Sequence, residues 1–118
     1  MIRIKRIYDE PSTKDSVCFL VDRLWPRGIK KQALPLDGGW LKEAAPSDAL
    51  RRWYGHDQTR WPAFEQRYRV ELDEHPQDWQ PILDAARRHD VTLYYASRDT
   101  EHNNALVLQR YLQKKLKR

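Results

Sequence analysis

The chain has 118 residues, 40% of them hydrophobic and 33% charged, with five Trp and six Tyr, which suits one folded domain with a single core and excludes a disordered chain. Its one cysteine excludes an intrachain disulfide and directs the expectation to a reducing cytoplasm; no stretch approaches the roughly 18 apolar residues of a membrane span, and the start lacks the apolar run of a signal peptide, so no membrane is expected as a partner. A formal net charge of +5 favours phosphate-bearing partners, a small anionic ligand or a nucleic acid, if the basic groups gather on one face.

Ile2, Ile4 and Ile7 interleave with Arg3, Lys5 and Arg6, the alternation of a half-buried strand near a sheet edge. Residues 11–16 carry Pro, Ser and Thr and read as a loop. Val17 to Val21 is a continuous apolar run with β-branched residues, as expected of a central strand covered on both faces. From Asp22 to Pro46 the backbone is punctuated by Trp25-Pro26-Arg27-Gly28, Leu34-Pro35 and Asp37-Gly38-Gly39, with a short helical turn expected around Trp40 to Ala44. About 20 residues without firm secondary structure are uncommon in a small domain unless the segment is functional.

Ser47 can cap a helix that Gly55 would end, and Asp57 or Thr59 can cap the next, with Pro62 in its first turn. Trp61, Phe64, Tyr68 and Leu72 recur at helical spacing on one face, while Glu65 and Arg69 can pair outside. After His75-Pro76, Asp78 can cap a helix reaching Arg88, with Trp79, Ile82, Leu83 and Ala86 as its apolar stripe. Val91 to Ala96 is a second core strand, and a last helix is expected after Asp99 or Thr100 with Ala105, Leu108, Leu112 and Leu116 inward. Helices alternating with apolar strands imply a single α/β domain over residues 1–118, a mostly parallel sheet flanked by helices with Rossmann-like layering.

Asp22 and Arg23 follow the first core strand directly, and Arg98 and Asp99 follow the second. If the two strands are parallel neighbours, both pairs emerge at the carboxyl edge of the sheet, where open α/β folds bind ligands. Arg23, Arg27 and Arg98 can hold a phosphate or carboxylate by forked hydrogen bonds. Asp22 or Asp99 can position a hydroxyl, bind a metal or act as a base. His102 and Asn103, expected on the first helical turn, can face the same crevice, with His102 as a general acid. The competing reading is a set of mutual ion pairs with Asp99 merely capping a helix.

Tyr54 and His56 can stack on a base or sugar, whereas Trp53 is expected to pack a helix onto the core. No His-x-x-x-His or Cys-x-x-Cys spacing supports a metal site, and Cys18 lies inside a buried strand. Three functions fit these residues. They are binding of an anionic, nucleotide-like or nucleic-acid-derived ligand, a hydrolase or transferase acting on such a ligand with Asp22 or Asp99 as base, and a protein-interaction module using exposed Trp25, Trp40 and Trp53.

Val21-Asp22-Arg23-Leu24-Trp25-Pro26-Arg27-Gly28, Trp40-Leu41-Lys42-Glu43 with Ala45-Pro46-Ser47, and Leu50-Arg51 with Trp53-Tyr54-Gly55-His56 resemble the YeaO-like uncharacterised proteins. Trp61, Phe64, Arg67, Tyr68 and Leu72, then Tyr95-Ala96-Ser97-Arg98-Asp99 with His102-Asn103, extend the resemblance over nearly the whole chain. The family is a bacterial domain of unknown function. Broader relatives place a cysteine and an acidic residue on the later strand and a Cys-His-Arg group at the following helix, where this chain has Ser97, Asp99, His102 and Asn103. The resemblance therefore implies a changed or lost chemistry at a retained site.

Overall fold

The computed structural model describes residues 1–9, 16–34 and 36–117; the loop expected over residues 11–16 lies outside them except for Ser16, which opens a strand. Four strands, β1 (Ile2–Arg6), β2 (Ser16–Leu20), β3 (Gly39–Trp40) and β4 (Asp90–Tyr95), form one sheet in the order β1-β4-β2-β3, and every pairing is parallel. The two core strands are neighbours, with Val17 opposite Val91 and Leu20 opposite Tyr94. The alternating first strand takes the sheet edge, as its pattern of basic and apolar residues requires.

Among the described residues four α-helices form in the expected order, and after the first their caps depart from the expected residues. Helix α1 (Asp48–Tyr54) is capped by Ser47, whose side chain accepts from the Leu50 N–H, and ends at Gly55 in the left-handed region at φ 52°. Helix α2 (Trp61–Glu74) has Pro62 in its first turn and follows a 3-10 turn capped by Asp57. Along it Phe64, Tyr68 and Leu72 are buried, while Arg69 and Glu65 pair at 2.9 Å outside. Helix α3 (Gln80–Ala86) begins after a 3-10 turn that takes up Asp78, so Trp79 rather than Asp78 stands at its cap position. Helix α4 (Asn104–Leu116) begins later than expected. Its cap is Asn103, which accepts from the Leu106 N–H at 2.9 Å, so neither Asp99 nor Thr100 opens it.

Alternation along the strands sorts the core into two layers. Val91, Leu93 and Tyr95 of β4, with Phe19 and Val21, join Leu50, Phe64, Tyr68, Ile82, Leu108 and Leu112 in one cluster that contains residues of all four helices. Cys18, Leu20 and Tyr94 point the other way and meet Trp25, Leu34, Leu36 and Trp40. The long segment after β2 is thus the second cover of the sheet. Its indoles are anchored, Trp25 Nε1 donating to the Ile29 carbonyl and Trp40 Nε1 to the Asp22 carbonyl, both at 2.7 Å, with the two rings edge to face at 5.4 Å. Gly38 approaches so closely that an added Cβ would come within 2.5 Å of the Phe19 ring.

Trp25, Trp40 and Trp53 are half-buried and packed on these clusters, as expected for Trp53, and so are not the exposed aromatics that the protein-interaction reading calls for. Among the described residues, no helix is long and apolar enough to cross a membrane.

Candidate functional site

The parallel pairing of β2 and β4 brings Val21-Asp22 and Ala96-Ser97 out side by side at the carboxyl edge of the sheet. There the chain encloses a cleft of about 720 Å³. The Asp22-to-Arg27 segment forms one wall, Asp48, Arg51 and Arg52 of α1 with Tyr54 and His56 form a second, and Ala96, Ser97 and residues 102–104 close it beside Trp61 and Phe64.

Asp22 is fixed at the seam. One carboxylate oxygen accepts from the Ala96 N–H at 2.9 Å and the other from the Asn104 side-chain amide at 3.1 Å, which also donates to the Val21 carbonyl at 2.8 Å. Burial pushes the Asp22 carboxyl above its ordinary range, while the Ala96 and Asn104 hydrogen bonds and the charge of Arg51 pull the other way.

Arg23 lines the cleft, but its guanidinium is committed elsewhere. Nε donates to the Pro46 carbonyl and Nη2 to the Ala45 carbonyl, each at 3.2 Å, and Nη1 lies 3.4 Å from Glu43. It ties the strand end to the turn before α1. Arg27 is exposed at the cleft, and its side chain makes no hydrogen bond or ion pair among the described residues. Arg98 is also exposed, but it is not among the residues that line the cleft.

Asp99 organises the turn between β4 and α4. Its Oδ1 accepts from the N–H groups of Glu101 and His102, both at 2.9 Å, and its Oδ2 meets His102 Nδ1 and Gln58 Nε2, each at 3.0 Å. The Glu101 N–H bond is the main cause that holds this carboxyl below its ordinary range, with His102 adding to it. Asp99 is not a lining residue, but it holds two residues that are, His102 and Asn103, and the His102 ring stands edge-on to Trp61 at 5.1 Å. His102 and Asn103 precede α4 rather than occupying its first turn. Asn103 is buried, donating to the Asp99 carbonyl at 3.0 Å while it caps the helix.

Sequence reading missed Arg51 and Arg52 as site residues. Arg51 pairs with Asp48 at 2.8 Å, whereas the exposed Arg52 has no ion pair among the described residues. The one available signal was the Arg51-Arg52-Trp53-Tyr54 run itself, which is indistinguishable from a solvated helix face until α1 is packed at the sheet edge. His56 takes φ 61°, a left-handed conformation uncommon outside glycine, at the same rim. Cys18 is buried on the far layer, and burial raises its thiol pKa, so no cysteine faces the cleft. Among the described residues, no group of three or more His, Cys, Asp or Glu side chains could hold a metal ion.

A sequence model of the family described as DUF488-N3i, the inactive DUF488-N3 subclade, matches residues 1–118. The chain is 41% identical over 111 residues to the uncharacterized protein YeaO of Escherichia coli, covering 94% of this chain and 96% of that one. Uncharacterized proteins of Mycobacterium bovis and Mycobacterium tuberculosis are each 35% identical over 111 residues, covering 94% of this chain and 92% of theirs. No solved structure matches it.

Proposed function

This chain belongs to the inactive DUF488-N3 subclade, and from that membership we propose that it binds an anionic, nucleotide-like ligand in the cleft without converting it. The observation that carries this reading is the pair Arg27 and Arg52. Both line a cleft of about 720 Å³, within the usual range for small-molecule sites, and neither side chain has an ion pair among the described residues. Unpaired guanidinium groups suit a phosphate by bidentate hydrogen bonding, and the Tyr54 and Trp61 rings beside them suit a base or sugar.

Thermal shift with adenosine monophosphate and with pyrophosphate tests the reading. A ligand at about 100 times its dissociation constant adds about 2.7 kcal/mol, enough for a shift of several degrees. That shift should fall by about half or more in Arg27→Ala and in Arg52→Ala, as a tenfold or greater loss of affinity requires. No shift with either compound would end the proposal.

A second reading is favoured by the Asp99–His102 pair. A carboxylate on Nδ1 orients an imidazole so that Nε2 can exchange a proton. In a hydrolase or transferase of such ligands, His102 would act as acid and Asp22 as base. Chromatography of nucleotides after prolonged incubation, with His102→Ala as control, separates turnover from binding.

A further inference from the structure

Trp53 interrupts the run of cleft residues on α1. Arg51, Arg52 and Tyr54 line the cleft, while Trp53 packs half-buried against the core between them. Two guanidinium groups lie over its ring, Arg67 of α2 with Cζ 4.0 Å from the centroid and Arg60 at 5.1 Å. A guanidinium held over an aromatic face keeps its N–H donors in its own plane, directed away from the ring and available to phosphate oxygens. Arg60 donates through Nη1 to the Trp53 carbonyl and lies 3.6 Å from Asp57, which leaves only part of its guanidinium to a phosphate, whereas Arg67 has no ion pair among the described residues, and both are exposed. A single nucleotide in the cleft would leave this ordered basic surface unused.

We infer that the ligand is a single-stranded nucleic acid, one nucleotide of which enters the cleft while neighbouring phosphates follow the surface made by Arg52, Arg60 and Arg67. The inference rests on the anion-binding reading of the cleft and extends it. A single strand fits better than a duplex because only an unpaired base can leave its neighbours and lie against the Tyr54 and Trp61 rings. The net charge of +5 favours a polyanion over a neutral partner.

Fluorescence anisotropy with a labelled oligothymidylate of about 12 nucleotides, long enough for typical single-strand sites, tests this beside adenosine monophosphate binding. The oligonucleotide should bind more tightly than the mononucleotide and weaken with salt. Arg67→Ala should weaken the oligonucleotide several-fold and lower its salt slope by about 0.7, the loss of one phosphate contact, while mononucleotide binding stays unchanged and the protein still melts cooperatively. Arg52→Ala should weaken both ligands. If the mononucleotide binds and the oligonucleotide binds no tighter, or ignores Arg67→Ala, the strand is excluded and the cleft reading stands. An oligonucleotide indifferent to Arg52→Ala bypasses the cleft and also overturns the inference. Failure of both ligands removes the cleft reading itself.

Discussion

Asp22 and Ala96, 74 positions apart in the chain, are joined by a 2.9 Å hydrogen bond from the Ala96 N–H to the Asp22 carboxylate, which locks the ends of the two central strands together. The second oxygen takes the Asn104 amide, so one side chain fastens β2, β4 and the start of α4. Asp22→Ala leaves both donors without that acceptor and should cost about 1–3 kcal/mol in urea unfolding. Burial raises the folded-state pKa of Asp22, so in the window just above the ordinary carboxylate range the folded chain binds the proton more readily than the unfolded chain. Stability from this group falls as pH rises through that window. The wild-type advantage over Asp22→Ala should therefore grow as pH is lowered from neutrality toward about 4.

Asp99 works with the opposite sign. Hydrogen bonds from the Glu101 N–H, and from His102 after it, depress its pKa, so its contribution is present at neutral pH and is lost as pH falls below the usual carboxylate range. Asp99→Ala removes the acceptor for two backbone N–H groups and the Nδ1 anchor of His102. Hydrogen exchange should speed up several-fold at Glu101 and His102 while β4 stays protected. Unchanged exchange would show that the turn holds itself without this side chain.

The parallel pair at the centre of the sheet was legible because Val17 to Val21 and Val91 to Ala96 are apolar runs bounded by polar turns, a pattern that a strand covered on both faces demands. The strand at Gly39 and Trp40 was not, since two residues after Asp37-Gly38 carry turn chemistry and pair only because Phe19 and Leu20 lie opposite. The cap of α4 escaped because Asp99, Thr100 and Asn103 are all competent caps, and the choice depends on what else holds Asp99. The cleft's place at the carboxyl edge and the presence of Arg27 beside it were legible from strand direction and the Trp25-Pro26-Arg27-Gly28 run, but its other cations were not. Arg23 is drawn to the carbonyls of Ala45 and Pro46, and Arg51 and Arg52 arrive from a helix whose docking no local pattern encodes.

That docking depends on Glu71. Its carboxylate accepts from both the backbone N–H of Ser47, at 2.9 Å, and the Ser47 hydroxyl, at 2.6 Å, and so fixes the cap of α1 to α2. Glu71→Ala should destabilise the fold by about 1–3 kcal/mol by leaving the Ser47 N–H without its acceptor. Glu71→Gln keeps one acceptor and should cost less. Chemical unfolding gives the ranking, and binding of adenosine monophosphate to the folded Glu71→Ala protein should weaken because Arg51 and Arg52 ride on the loosened helix.

The contrast between Arg52 and Arg98 tests whether the cleft or the turn holds the anion. Both are exposed arginines, so both substitutions to Ala should leave the melting temperature nearly unchanged, within the roughly 0.5 kcal/mol typical of surface sites. Arg52 lines the cleft and Arg98 does not. Loss of one charge-assisted contact of about 1.5–3 kcal/mol lowers affinity by at least about tenfold. Isothermal titration with adenosine monophosphate should show that loss in Arg52→Ala and wild-type affinity in Arg98→Ala. The reverse pattern would move the anion to the turn after β4, where Arg98 would have to swing toward His102, and would leave Arg52 as a solvated helix residue.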